Sequence, residues 1–227
     1  MSKYIVFMIV ASFNMTAFGQ FIGQFQCITS QESQNGNTRI DTMNYFFGKE
    51  KTALIIKAGG NQPDLRLVFS KADSTITGLF KNNGKKGGYI LPMNKKYWPA
   101  IEIALPKANN TEETFKISSD EKMIDGYVCH YLECTTEEFT GNFWMTPEIP
   151  LTLPQILAYS FVGAGEETSE LDWLLTCEAQ HFTLLAEIED KKRNARITIQ
   201  IQNIDNSVND AMFNMEDYSL MDMRKEN

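Results

Sequence analysis

Arg196-Ile197-Thr198-Ile199-Gln200-Ile201-Gln202 is the stretch that decides the fold. Side chains alternate along an extended chain, so Ile197, Ile199 and Ile201 share one face and Arg196, Thr198, Gln200 and Gln202 the other. The isoleucine face belongs to a core, and the polar face lies in water or in a wet groove. Similar runs recur upstream. Phe182–Ile188, Leu171–Ala179, Phe139–Met145 (ended by Pro147 and Pro150), Tyr127–Glu133 and the pair Phe115 and Ile117 read as strands. Asp125-Gly126, just before Tyr127, is a hairpin signal. In the first half Phe25, Cys27 and Thr29 alternate with polar neighbours, and Met43, Tyr45 and Phe47 share a face. Ala53–Ile56, Leu65–Phe69 and Ser74–Phe80 follow, with Gly84–Gly88 as a turn-rich stretch. Short alternating runs divided by Gly, Asn, Asp and Lys predict an antiparallel meander.

Helix signals are few. Asn94–Leu105 holds room for one short helix, broken by Pro99, and Leu153–Phe161 for another, with Pro154 in its first turn and Gly163 at its end. The tail after Asp217 is charged and Met-rich and is expected to fray. The fold class read from the sequence is therefore mainly β, with one or two short helices.

Residues 1–19 have the three parts of an export signal. Lys3 is the positive start, Tyr4–Ala11 the apolar middle, and Ala17 and Gly19 the small residues before Gln20. The apolar run is shorter than the ~20 residues a membrane-spanning helix needs. Cleavage near Gly19 is expected, giving a periplasmic or secreted chain that does not span a membrane, and residues 20–227 form a single domain. Setting Lys3 aside leaves 20 basic residues against 29 acidic ones, a net charge of −9. An acidic chain without a basic cluster is poorly suited to nucleic acid or to an anionic membrane surface.

Four cysteines in an exported chain allow two disulfides in three pairings. Cys129 and Cys134, five residues apart on one strand, face opposite sides of it and are expected not to bridge each other. Any bridge they make is to Cys27 or Cys177, and buried free thiols are an equal alternative. The chain has only two histidines, His130 and His181. On a strand Cys129 points away from His130 and Cys134, which argues against a metal site. No nucleophile elbow and no phosphate-binding loop is present, and no pair of carboxylates stands out. The expectation is a non-enzymatic chain without cofactor or metal.

Ile117–Tyr131, with its Ile124-Asp125-Gly126-Tyr127-Val128-Cys129 block, resembles a motif of a secreted bacterial envelope family, a domain of unknown function. Phe143-Trp144-Met145-Thr146 is similar to that family's following strand, and Phe213–Met221 to its closing segment, although Met215-Glu216-Asp217 stands where Pro-x-Gly is usual. The resemblance covers roughly residues 112–221. It implies a fold like the Lol-type lipoprotein carriers: a curved antiparallel sheet forming an incomplete barrel, with helices closing the open side. It brings no catalytic residues.

That architecture implies a cavity able to hold a lipid, an acyl chain or part of a lipoprotein. Its candidate lining in the first half is Phe25, Tyr45 and Phe47. In the second half it is Tyr127, Tyr131, Phe143, Trp144 and Phe161. The alternative is an envelope structural or protein-interaction module with a filled core and no small ligand.

Overall fold

Asn83 and Gly84 both take positive φ, 48° and 80°, as do Asp125 and Gly126 at 49° and 86°. Each pair closes a two-residue hairpin whose mirror-image turn matches the strand twist. Local choices of this kind lay out two meanders in a computed structural model, which describes residues 20–59, 62–105, 120–165, 168–177, 179 and 181–224. The expected leader at 1–19 and the expected strand at Phe115 and Ile117 lie outside the described residues.

The first meander runs β1 (Gly23–Glu32), β2 (Thr38–Phe47), β3 (Lys51–Ile56), β4 (Leu65–Ser70), β5 (Thr75–Asn82) and β6 (Lys85–Pro92). The second runs β7 (Glu121–Ile124), β8 (Tyr127–Thr135), β9 (Phe139–Thr146), β10 (Phe182–Asp190) and β11 (Ala195–Asp205). β11 returns to lie antiparallel beside β1, with Cys27 opposite Ile201 and Thr29 opposite Ile199. A last strand, β12 (Ser219–Asp222), pairs with β6. The result is one twelve-stranded sheet in the order β12-β6-β5-β4-β3-β2-β1-β11-β10-β9-β8-β7. Among the described residues it stays open, with edges at β12 and β7.

Among the described residues, three short helices, α1 (Ile101–Ala104), α2 (Leu153–Ala158) and α3 (Ser169–Thr176), lie against one face of the sheet, which we call the inner face. α2 starts in a capping box. The Gln155 N–H donates to Thr152 Oγ1 at 3.3 Å, and the Thr152 N–H donates to Gln155 Oε1 at 2.8 Å. A 3-10 turn, Tyr159–Phe161, continues it. The isoleucine face of β11 meets this core as expected, and Arg196, Thr198, Gln200 and Gln202 turn to the outer face.

Four expectations need correction. Leu171–Ala179 is not a strand: Leu171 and Leu174 are buried three residues apart, the spacing of one helical face, and α3 occupies the segment. Gly84–Gly88 is a turn only at its start. From Lys85 it is β6, where Gly78 opposite leaves room for the Tyr89 ring; a Cβ there would stand 2.6 Å from Tyr89 Cε2. The tail after Asp217 does not fray at once but forms β12. β12 also runs parallel to β6, so the sheet is not antiparallel throughout.

The segment leading to β12 crosses the outer face of the first meander as a strap. A 3-10 turn at Asp210–Phe213 begins it. Met212, Phe213, Met215, Tyr218 and Leu220 pack on Ala53, Val68 and Leu79, forming a second, smaller core. Arg66 donates from Nη2 to the Asn214 carbonyl at 2.8 Å, and its guanidinium lies 5.4 Å over the Tyr218 ring. Lys86 meets Asp217 at 3.3 Å.

Candidate functional site

The inner face is where the expected cavity would be. Alternation places Phe25 on β1, and Tyr45 and Phe47 on β2, side by side on it. Their rings stack: Phe25 on Tyr45 at 5.2 Å and on Phe47 at 5.7 Å, with Phe182 of β10 edge-on to Phe25 at 5.3 Å. Phe143 is fully buried on β9, 6.1 Å from Trp173 of α3. Tyr127, Trp144 and Phe161 pack half-buried against the same cluster. The structure brings these seven candidates to one core.

The helical cover fills the face with side chains outside the expected cavity lining; the Trp98–Pro99 region, expected as a contact surface of an interaction module, has its tryptophan inside. Trp98 is fully buried and donates from its indole Nε1 to the Ala158 carbonyl at 2.7 Å. Its ring lies 4.7 Å from Phe69 and 5.3 Å from Tyr159. Tyr159 in turn stands edge-on to Phe47 at 5.7 Å. These aromatics were hidden from a strand-based search because Trp98 sits just before Pro99 and Tyr159 at the end of α2. Their one sequence signal was an aromatic residue within each of the two expected helices.

Two depressions mark the outside of the molecule. One, of about 210 Å³, is lined by Glu32, Glu189, Asn194 and Arg196 among others. The other, of about 390 Å³, lies between Ile22, Lys49, Lys51, Val208 and Phe213. Neither is lined by a residue of the inner cluster.

Burial sets the chemistry of the inner groups. It pushes the Cys27 thiol up to about 12, and holds the Tyr45 phenol well above its usual value, with Cys27 and Tyr159 adding to the effect. Cys27 therefore remains a thiol at neutral pH and is no nucleophile. Burial also lowers His181, with His130 contributing, which favours its neutral form. Cys129 is likewise pushed up, to about 11, chiefly by burial.

Cys134 and Cys177 form a disulfide with Cα atoms 5.6 Å apart, tying the end of α3 to β8. Cys27 and Cys129 are free and buried. Both findings agree with the expectation that Cys129 and Cys134 do not bridge each other.

The remaining candidate, Tyr131, is not part of that core, and Trp144, although packed against it, shares the strand face of Tyr131. Tyr131 and Trp144 are opposite each other in the β8–β9 register. Alternation sends them away from Leu132 and Phe143, the neighbouring pair that faces inward. Their rings lie 5.2 Å apart. The Tyr131 hydroxyl donates to Asn142 Oδ1 at 2.8 Å, and Lys122 Nζ stands 5.5 Å over the Trp144 ring. An amide chain continues across this outer face, from Gln202 Nε2 to Gln26 Oε1 at 2.9 Å, and from Gln26 Nε2 to Asn44 Oδ1 at 3.1 Å. Among the described residues no helix is long and apolar enough to cross a membrane.

No family model matches the chain, and no curated protein matches it. Among solved structures it is similar to PNGF-II, at 11% identity and a TM-score of 0.39, over 88% of this chain and 31% of that one. The chain thus spans about a third of that protein's length. It is also similar to a LolA superfamily protein, NE2245 from Nitrosomonas europaea, at 9% identity and a TM-score of 0.37, covering 88% of this chain and 92% of that one. A DUF1329 family protein from Desulfovibrio piger ATCC 29098 shares 14% identity over 86% of this chain and 90% of its own, at a TM-score of 0.21. The LolA superfamily protein is of the class that the sequence resemblance implies. At these TM-scores the likenesses carry no argument about the site or its use.

Proposed function

We propose that the chain is an exported, non-enzymatic interaction module that works through its outer surface and not through an internal ligand cavity. The observation that carries this reading is the filled inner face. Trp98, Tyr159, Phe69, Phe47, Tyr45 and Phe25 stack from the helical cover to the sheet and are at most 4% exposed. An apolar guest would need ~300 Å³ or more of room, and here the chain's own rings hold that place. Export is supported by the signal-like residues 1–19 and by the Cys134–Cys177 disulfide, since such bonds persist in oxidising compartments. The non-enzymatic part is supported by the Cys27 thiol being held protonated by burial.

A second reading, lipid carriage, is favoured by one observation: much of the filling comes from the cover. Trp98 and Tyr159 belong to the helical side, so a cover that lifted would withdraw them and leave an apolar trough. One experiment separates the two readings. Native mass spectrometry of the purified chain, followed by organic extraction, is expected to give the bare protein mass, and added fatty acids to leave the melting temperature unchanged. A co-purifying apolar molecule, or a saturable rise in melting temperature with fatty acid, overturns the surface reading in favour of the carrier.

A further inference from the structure

The strap covers the outer face of the first meander, whereas the outer face of β8–β11 has no such cover among the described residues. Its registers place Tyr131, Trp144, Leu185 and Gln200 in one row across four strands. The next row holds Glu133, Asn142, Glu187 and Thr198. At the usual strand spacing each row is about 14 Å long. Tyr131 and Trp144, both half-buried, form an aromatic floor, and the exposed carboxylates Glu133 and Glu187 flank it in the adjoining row.

Charge is concentrated here. Asp120, Glu133, Glu187, Glu189 and Glu32 stand on or beside this face, against Lys122 and Arg196. That is five acids to two bases, where the whole chain has 29 to 21. The strip runs into the depression that Glu32, Glu189 and Arg196 line. Three of these carboxylates act on one hydroxyl: after burial, Glu133, Glu187 and Asp120 raise the Tyr131 phenol above its usual value. A bare acidic strip would attract any counterion. The aromatic floor adds selectivity, because a ring face attracts an ammonium or guanidinium carried on an apolar stem. The chain shows that such a group fits, since Lys122 already sits over Trp144.

We infer that this face binds a lysine- or arginine-bearing segment of a partner protein, whose cation takes the seat over Trp144 that Lys122 holds in the free chain. The inference rests on the surface-module reading and names the chemistry of its partner. Glu133 and Glu187 draw the segment in, Trp144 and Tyr131 hold one side chain against the floor, and Lys122 swings out to solvent. Lys122 is thus a built-in competitor.

The test uses the full chain and octa-lysine as the probe, followed by calorimetry. Binding is expected at low salt and is expected to weaken at least ~10-fold on going to about 0.5 M salt, where screening is nearly complete. The E133Q/E187Q variant should lose about 10-fold in affinity, and W144L about 3- to 10-fold, the range of an exposed to partly desolvated cation–π contact. K122Q should bind about 3-fold more tightly, which a structural role for Lys122 would not produce. Unchanged melting temperatures show that these surface variants fold. Undiminished octa-lysine binding by E133Q/E187Q overturns the inference, as does no binding at all. Salt-insensitive binding of a neutral chito-oligosaccharide in place of octa-lysine also overturns it, since the face would then be a glycan platform. The reading beneath it fails separately: it falls if an apolar molecule co-purifies or fatty acid stabilises the chain, whatever octa-lysine does.

Discussion

Removing the Cys134–Cys177 disulfide measures how firmly the helical cover is tied to the sheet. The bond joins residues 43 apart. Loop-closure entropy for a loop of that length is about 13 cal/mol/K, or ~4 kcal/mol at 25 °C, which the unfolded chain regains when the bond is cut. Alanine is the better replacement, because Cys177 is only 5% exposed and a serine there would bury a hydroxyl. The C134A/C177A variant should therefore be less stable by about 4 kcal/mol, which in a domain of this size lowers the melting temperature by roughly 8–16 °C. The cover should stay in place at room temperature, because Trp173 of α3 still stacks on Phe139 at 4.8 Å and Leu171 and Leu174 remain buried. Urea unfolding followed by circular dichroism gives the stability, and hydrogen exchange shows whether the loss is felt at residues 169–176 first. A stability loss below ~1 kcal/mol would refute the reasoning, because it would mean the open chain is already held compact in the unfolded state. Four titratable thiols in the unreduced, unfolded protein would refute the bond itself.

Three further outcomes follow from the packing. Trp98→Phe keeps most of the apolar volume but leaves the Ala158 carbonyl without its 2.7 Å donor, so chemical denaturation should report a loss of about 1–3 kcal/mol. Cys27 should resist iodoacetamide at pH 8 in the native protein and react in urea; rapid native labelling would show that the thiol is not enclosed. Its folded pKa lies above its unfolded one, so its contribution to stability is complete below about pH 9 and is lost as pH rises toward about 12; Tyr45 shifts in the same direction. Gly78→Ala would press a methyl against Tyr89 and should cost about 1–3 kcal/mol, relieved in the double variant with Tyr89→Leu; no relief would place the strain elsewhere.

What could be read from the sequence was what repeats locally. Period-two runs such as Ile197–Ile201 and the Asp125-Gly126 turn identified strands and a hairpin, because both signals arise within a few residues. The α3 segment misled because its Leu171, Leu174 and Leu175 make a short apolar run, and only burial at a three-residue spacing separates helix from strand there. β12 escaped because Ser219–Asp222 has no pattern of its own; its place is set by the free edge of β6 and by the strap that precedes it. At the site, strand alternation located Phe25, Tyr45, Phe47 and Phe143 on the inner face. It grouped Tyr131 and Trp144 with them, since aromaticity alone does not say which side of a sheet is covered. Trp98 and Tyr159, which complete the filling, come from short irregular segments where no period exists to follow.

The strand order also sets a timetable for synthesis. β1 finds one neighbour in β2 at once, but its other neighbour, β11, begins at Ala195, and the far edge of β6 waits for Ser219. At ribosomal rates of roughly 5–20 residues per second, the stretch from Pro92 to Ala195 takes about 5 to 21 s, and for that time the finished first meander stands with β1 lacking that partner. During that interval both flanks of the nascent half-sheet offer unpaired backbone to any passing strand, and contacts this distant along the chain also form slowly. The chain thus has a window of vulnerability to misassembly that ends only when its last strands arrive, and holding that half-sheet apart from others is a task its own sequence postpones.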